Sequence, residues 1–210
     1  SCRAIKDLHQ HHNWILADHL KVSPHEGIEG VSHQVVDTEI CNELADNWEL
    51  KYSQYELLEA VEQVRTTGIP HPVSIINELE HRQRGVRNSR RYQYRDSILL
   101  VLKTILRTSQ LHSCQNGLPM ERLLKGNTVI EAHNLLPDIQ RWLARLLFSY
   151  VRFLTLSGKK LVKPLLLFLD EGQPICTDKD FATKILQLRH HNVHLFVNFQ
   201  NLAKAPIELF

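Results

Sequence analysis

The pair Asp170-Glu171 stands directly after five consecutive apolar residues, Leu165-Leu166-Leu167-Phe168-Leu169. A run of that length and character predicts a strand at the centre of a sheet, buried on both faces. Two carboxylates then emerge at its carboxyl end, where open α/β sheets hold their ligands. Adjacent acids in that position suit metal-assisted phosphoryl transfer: Asp170 would hold a hydrated Mg2+ ion and Glu171 would polarise the attacking water. The same pattern also describes a buried strand followed by an ordinary acidic turn, so the surrounding elements have to decide.

Those elements alternate. Asn127-Thr128-Val129-Ile130-Glu131-Ala132 reads as a strand. Pro137 suits the first turn of a helix, which runs to about Ser157 with Ile139, Leu143, Leu146, Leu147, Tyr150 and Leu154 on one apolar stripe and Arg141, Arg145 and Arg152 mainly off it. Gly158 is placed to end it as a C′ residue. After the strand at Leu165 to Leu169 come a short helix, Phe181 to His190, and a strand, His194 to Phe199. Strand, helix, strand, helix, strand favours right-handed βαβ units on a parallel sheet.

The chain divides into three zones: 1–36, 37–125 and 126–210. The first holds a helix from Cys2 to His11, a short strand at Trp14-Ile15-Leu16-Ala17 ending at Asp18, and a turn-rich loop with Pro24, Gly27 and Gly30. The second is mostly helical. Tyr55, Leu58, Val61 and Val64 recur at helical spacing, Ser53 and Glu56 have the spacing of a capping box, and Gly68 with Pro70 ends that helix. Ile75, Ile76 and Leu79 open another helix, and Ile98 to Ile105 forms a third apolar stretch.

The segment Gly126-Asn127-Thr128-Val129-Ile130-Glu131-Ala132-His133-Asn134-Leu135-Leu136-Pro137, the long helix after it, Asp170-Glu171, and the strand running through Phe196-Val197-Asn198-Phe199-Gln200 together resemble the HerA/FtsK superfamily of RecA-like P-loop ATPases over about 85 residues. The resemblance implies an α/β fold, a RecA-like parallel sheet flanked by helices, with a mostly helical inserted subdomain. That insertion is of the kind carried by type IV secretion and coupling proteins. It further implies ATP and Mg2+ as cofactors, DNA as partner, and a homo-oligomeric ring, often a hexamer, that works as a translocase or helicase. Asp170 then matches the Walker B aspartate, Glu171 the catalytic glutamate and Gln200 the sensor glutamine. Three positions depart from the pattern: Glu131 where Asp is common, Gly172-Gln173 after the acidic pair, and Asn198 before the sensor region.

A larger gap is the phosphate cradle. No G-x-x-x-x-G-K-[ST] occurs in the 210 residues. The one Gly-Lys pair, Gly158-Lys159, comes after a helix instead of opening one, the wrong context for backbone N–H groups to wrap a phosphate. In these ATPases the P-loop is succeeded by a helix and then a strand ending near an Asp, and Cys2 to Asp18 has that spacing. A start at Ser1 without methionine fits a trimmed piece. The expectation is therefore a core whose P-loop lies before Ser1.

Arg82, Arg84, Arg87, Arg90, Arg91 and Arg95 put six arginines into fourteen positions, interleaved with Tyr92 and Tyr94. Arginine forks suit phosphate and tyrosines stack on bases, which makes Arg84, Arg87, Arg90, Arg91 and Arg95 nucleic-acid candidates. The alternative is that they pair with the acidic helix Glu56 to Glu62.

Composition narrows the classes. The chain is 43% hydrophobic and 23% charged with a net charge of +2, an ordinary globular balance that predicts no nucleic-acid binding by itself. Four scattered cysteines without a C-x-x-C argue against zinc modules and disulfide scaffolds and suit reduced, cytoplasmic thiols. No secretory signal and no apolar run near the ~20 residues of a membrane span is present. Of the thirteen histidines, His9, His11, His12, His190, His191 and His194 cluster, but none completes a metal motif, and the strand at Val193 breaks the shared face of His190 and His194. Two rival readings stand beside the motor: a non-catalytic RecA-like interaction domain, and a helical nucleic-acid-binding module centred on the arginines.

Overall fold

The structure, a computed structural model, describes residues 13–16, 24–50, 52–84, 89–108, 127–158, 163–170, 188 and 191–199. The chain divides into two compact units, one made of Ser1–Gly27 and Ser32–Trp142, the other of Ile28–Val31 and Leu143–Phe210. The predicted helices at Cys2 to His11 and Phe181 to His190 lie outside the described residues, apart from Leu188.

In the first unit, strand β1 (Asn13–Leu16) pairs in parallel with β2 (Thr128–Glu131), in a register that sets Asn13 opposite Thr128 and Leu16 opposite Glu131. Among the described residues four α-helices lie between these strands in sequence: α1 (His33–Asn47), α2 (Gln54–Arg65), α3 (Pro72–Gln83) and α4 (Arg90–Thr108). Parallel neighbours need a long crossover, and this helical segment supplies it. Helix α2 packs against α1, α3 and α4. Their shared interior holds Val36, Ile40, Val61, Leu79, Ile98 and Ile105, all nearly inaccessible to solvent. Each such side chain contributes roughly 1.5–3 kcal/mol of transfer free energy.

The helix starts are capped in different ways. The Ser32 hydroxyl accepts from the Val35 N–H at 3.4 Å. At α3 the Ser74 N–H donates to His71 Nδ1 at 3.3 Å while the His71 N–H donates to Ser74 Oγ at 3.1 Å, with Pro72 in the first turn. The capping box expected at Ser53 and Glu56 does not form, because Ser53 makes no side-chain cap bond and Glu56 turns inward to arginines of α4. That inward turn also rotates α2. Its buried face runs through Glu56, Leu57, Ala60 and Val61, and Tyr55, expected on the apolar stripe, is exposed.

Helix α5 (Pro137–Leu156) begins at Pro137 as expected. Within the first unit the Asn47 amide donates to the Asp138 carbonyl at 2.9 Å, and Trp142 lies against Trp48 with ring centroids 6.0 Å apart. Further along, Leu143, Leu146, Tyr150, Phe153 and Leu154 are buried. Arg145, placed off the stripe by its sequence position, is buried too, since Ala144, Phe148 and Val151 extend the apolar band around the helix. The helix stops at Gly158, whose φ of 71° is a left-handed conformation open to glycine at no steric cost.

In the second unit, β3 (Leu165–Leu169) pairs in parallel with β4 (Val193–Val197), Leu165 opposite Val193 and Leu169 opposite Val197. Burial on both faces is not what this strand shows. Leu165, Leu167 and Leu169 are half-buried, while Leu166 and Phe168 are exposed, Phe168 at 71%. Among the described residues β3 and β4 form a two-stranded ladder with one uncovered face, on which Phe168 and Phe196 stack at 4.8 Å and 11°.

Candidate functional site

The parallel pairing of β3 and β4 carries their carboxyl ends to one place. Asp170 is the first residue after β3 and Asn198 the first after β4. The Asn198 N–H donates to the Leu169 carbonyl at 2.9 Å, extending the ladder one step past the strands. The Asn198 side chain then donates through Nδ2 to Asp170 Oδ1, also at 2.9 Å. An amide at this distance fixes one carboxylate oxygen and leaves the group acceptor-only towards solvent, since an ionised carboxylate has about four lone-pair sites. Asp170 is exposed, and the carboxyl ends of parallel strands are where open α/β sheets place their ligands. In the sequence Asn198 is only a departure from a pattern. Its signal is its register: it comes one step after its strand, as Asp170 does.

Asp170 fits the donor set of one hydrated Mg2+ ion. Mg2+ typically takes one or two protein carboxylates and completes its shell with water and substrate phosphate. A single exposed, oriented aspartate matches that donor set and would not make a stand-alone metal site. Among the described residues there is no group of three His, Cys, Asp or Glu that could hold a metal by itself. The β-phosphate cradle has no counterpart among the described residues, and Gly158, of the one Gly-Lys pair, closes α5 instead of opening a helix. Glu171, Gln200 and Arg87 lie outside the described residues.

The other parallel pair also ends in an acid. Glu131, the last residue of β2, lies 2.9 Å from His133 Nδ1 in a largely exposed pair. His194 sits within β4, and His190 lies outside the described residues.

The arginine cluster resolves into distinct roles. Arg84 and Arg90 are exposed. Arg91 is 66% exposed and approaches Glu56 at 3.3 Å. Arg95 is withdrawn from any nucleic-acid contact: it is buried, its Nε donates to Glu56 Oε2 at 2.7 Å and its Nη1 to the Arg82 carbonyl at 2.6 Å. Arg82 in turn holds Glu78 at 2.6 Å and Glu59 at 3.1 Å. Arg82 and Arg95 therefore tie α2, α3 and α4 together, and Arg84, Arg90 and Arg91 remain facing solvent.

A second buried network has no signature in the sequence. Asp37 on α1 accepts from Arg65 on α2 through both oxygens, and lies 2.8 Å from His25 Nδ1. Arg65 also donates to the His25 carbonyl at 2.7 Å. Burial pushes the Asp37 carboxyl up, but the hydrogen bonds from His25 and Arg65 and their charges outweigh it and hold it below its ordinary value. The one described cysteine, Cys41, is free and buried, and burial with the nearby Asp37 and Glu62 charges pushes its thiol well up, so it is an inert core residue.

Parallel strand pairs alternating in sequence with helices make an α/β fold consistent with the RecA-like kind. Comparison with solved structures agrees. The chain is similar to the bacterial conjugative coupling protein TrwBdeltaN70 in its unbound monoclinic form, with a TM-score of 0.56 and 12% sequence identity. The match covers 96% of this chain and 59% of that one, so this chain spans about three fifths of its structural neighbour's length. At this identity the likeness is one of fold. No protein-family model and no curated protein matches the sequence. Among the described residues no helix is long and apolar enough to cross a membrane.

Proposed function

We propose that this chain is part of an ATP-hydrolysing motor of the HerA/FtsK-like kind that moves DNA as a homo-oligomeric ring in the cytoplasm. The observation that carries the reading is Asp170, fixed by Asn198 at the joined carboxyl ends of two parallel strands. When bound, ATP·Mg2+ would supply the phosphoryl group and the charge that organises it; Asp170 would hold the ion through water, Glu171 would accept a hydrogen bond from the attacking water, and Gln200 would respond to the state of the terminal phosphate. DNA as cargo rests on the resemblance of the sequence to the HerA/FtsK superfamily; the structure sharing the fold is that of a conjugative coupling protein. Helices α1 to α4 lie in sequence between two strands that pair directly, which supports reading a helical insertion into a core formed by 1–36 and 126–210, with α1 beginning at His33, ahead of the boundary set at 37.

The sequence's lack of a phosphate cradle favours a second reading, a RecA-like interaction domain that binds no nucleotide. One variant separates the two in the natural full-length product. Glu171→Gln should abolish ATP hydrolysis and spare ATP binding by calorimetry. Retained hydrolysis sinks the motor assignment of Glu171, and absence of nucleotide binding in the unmodified protein favours the interaction domain.

A further inference from the structure

The solvent-facing arginines of α4 stand beside an aromatic pair formed across two elements. Tyr94 lies four residues after Arg90 and three after Arg91, so the three share one helical face. Tyr52, in the turn before α2, stacks on Tyr94 with centroids 6.1 Å apart and ring planes 26° from parallel. Tyr52 is 71% exposed, so most of its ring meets water. Tyr92, in contrast, lies on another side of the helix, where its backbone is engaged by Ser89 and Gln83.

We infer that Tyr52, Tyr94, Arg90 and Arg91 form a binding surface for single-stranded nucleic acid, with a base stacked on the exposed ring of Tyr52 and the adjoining phosphates held by the two arginines. The inference rests on the motor reading only for the choice of DNA as the polymer. The exposed face of the Tyr52 ring, braced from behind by Tyr94, offers a flat aromatic platform on which a base can stack. A flat partner alone would not need charge, and a phosphate alone would not need rings. A base attached to its phosphate satisfies both, and only an unpaired base offers its face. Glu56 engages the Nε of Arg91 at 3.3 Å, which orients that side chain while leaving it mostly exposed.

The test uses the full chain without nucleotide, titrated against a fluorescent oligo-dT and against a duplex of equal length. The unmodified protein should prefer the single strand. Tyr52→Ala and Tyr52→Leu should each weaken oligo-dT binding about tenfold, with Tyr52→Phe close to unmodified, because stacking needs the ring and not the hydroxyl. Arg90→Gln with Arg91→Gln should weaken binding and make its salt dependence shallower by about one to two phosphate contacts. Equal affinity of Tyr52→Ala, Tyr52→Leu and unmodified protein for oligo-dT overturns the inference. So does failure to bind oligo-dT at low salt, which would leave the surface to a protein partner. Neither result touches the hydrolysis assigned to Glu171, which is read in a separate assay.

Discussion

The side-chain amide of Asn198 donates to the Asp170 carboxylate at 2.9 Å across the ends of two strands that run side by side in the same direction. The bond needs parallel pairing in this register, because only then do both strands end at one edge with their next residues adjacent. Asn198 touches neither water nor phosphate in the proposed chemistry, so it is a positioning residue. Its replacement by alanine should leave the fold intact, since Asn198 is exposed. A hydrogen bond to a charged group contributes roughly 1.5 kcal/mol, so the expected loss in kcat is about tenfold. The Mg2+ concentration needed for half-maximal rate should rise with it. An unchanged Mg2+ dependence would show that the amide does not orient Asp170.

Arg95 and Glu56 make the opposite kind of pair, sealed in the interior of the helical segment. Removing Arg95 leaves the buried Glu56 with only the longer, solvent-facing contact to Arg91, which costs about 3 kcal/mol. Arg95→Ala should therefore lower the denaturant midpoint sharply, and it also strips the Arg82 carbonyl of a donor. Arg91→Ala, at the same glutamate but largely exposed, should change stability by less than about 1 kcal/mol. Replacing Arg95 and Glu56 together with Met and Leu should recover most of the loss. If Arg91→Ala proves the more damaging of the two, the assignment of Arg95 as the structural arginine is wrong.

Gly158 offers a test of the helix end alone. Its φ is 71°, and nothing lies within 4 Å of where a Cβ would be. Any cost of Gly158→Ala is thus backbone strain and not a clash, about 1 kcal/mol. Gly158→Asn should cost less, because asparagine tolerates the left-handed region. Thermal unfolding of the three proteins gives the order directly, and an alanine variant as stable as the parent would contradict the backbone conformation.

Elements written in local sequence are legible. Pro137 and Gly158 bracket α5 because one fixes φ and the other frees it, and both act within a turn. The strand at Leu165 and the acid after it are signalled by five apolar residues in a row. The features that local pattern misses depend on partners distant in sequence. Spacing puts Tyr55 in the core because 55, 58, 61 and 64 fall on one stripe, yet Arg95, 39 residues away from Glu56, draws that glutamate inward and turns the helix. The continuous apolar run of β3 suggests cover on both sides, but no local pattern records whether a second layer lies over Phe168. Tyr52 and Asn198 carry no motif at all, and only pairing with Tyr94 and Asp170 gives them a role.

Two groups should set separate steps in the dependence of stability on pH. His71 caps α3 as an acceptor through Nδ1, and burial lowers its pKa below 6.5. Asp37, held by His25 and Arg65, lies below 3.8 despite its burial. Both are depressed in the folded state, so both contribute stability that is complete above the unfolded pKa and is lost as pH falls through the folded one. The unfolded chain takes up protons that the folded chain refuses, first on His71 below about pH 6.5 and then on Asp37 below about pH 3.8. Replacing His71 with Asn keeps a capping acceptor that does not titrate, and should flatten the upper step while leaving stability near pH 8 within about 0.5 kcal/mol. Asp37→Asn should flatten the lower step and also cost on the order of 3 kcal/mol at neutral pH, because Arg65 then faces a neutral amide. Denaturant midpoints from pH 8 to pH 3 for the parent and both variants separate the two contributions. A lower step that persists in Asp37→Asn would assign the acid sensitivity to other carboxylates and remove Asp37 from the account.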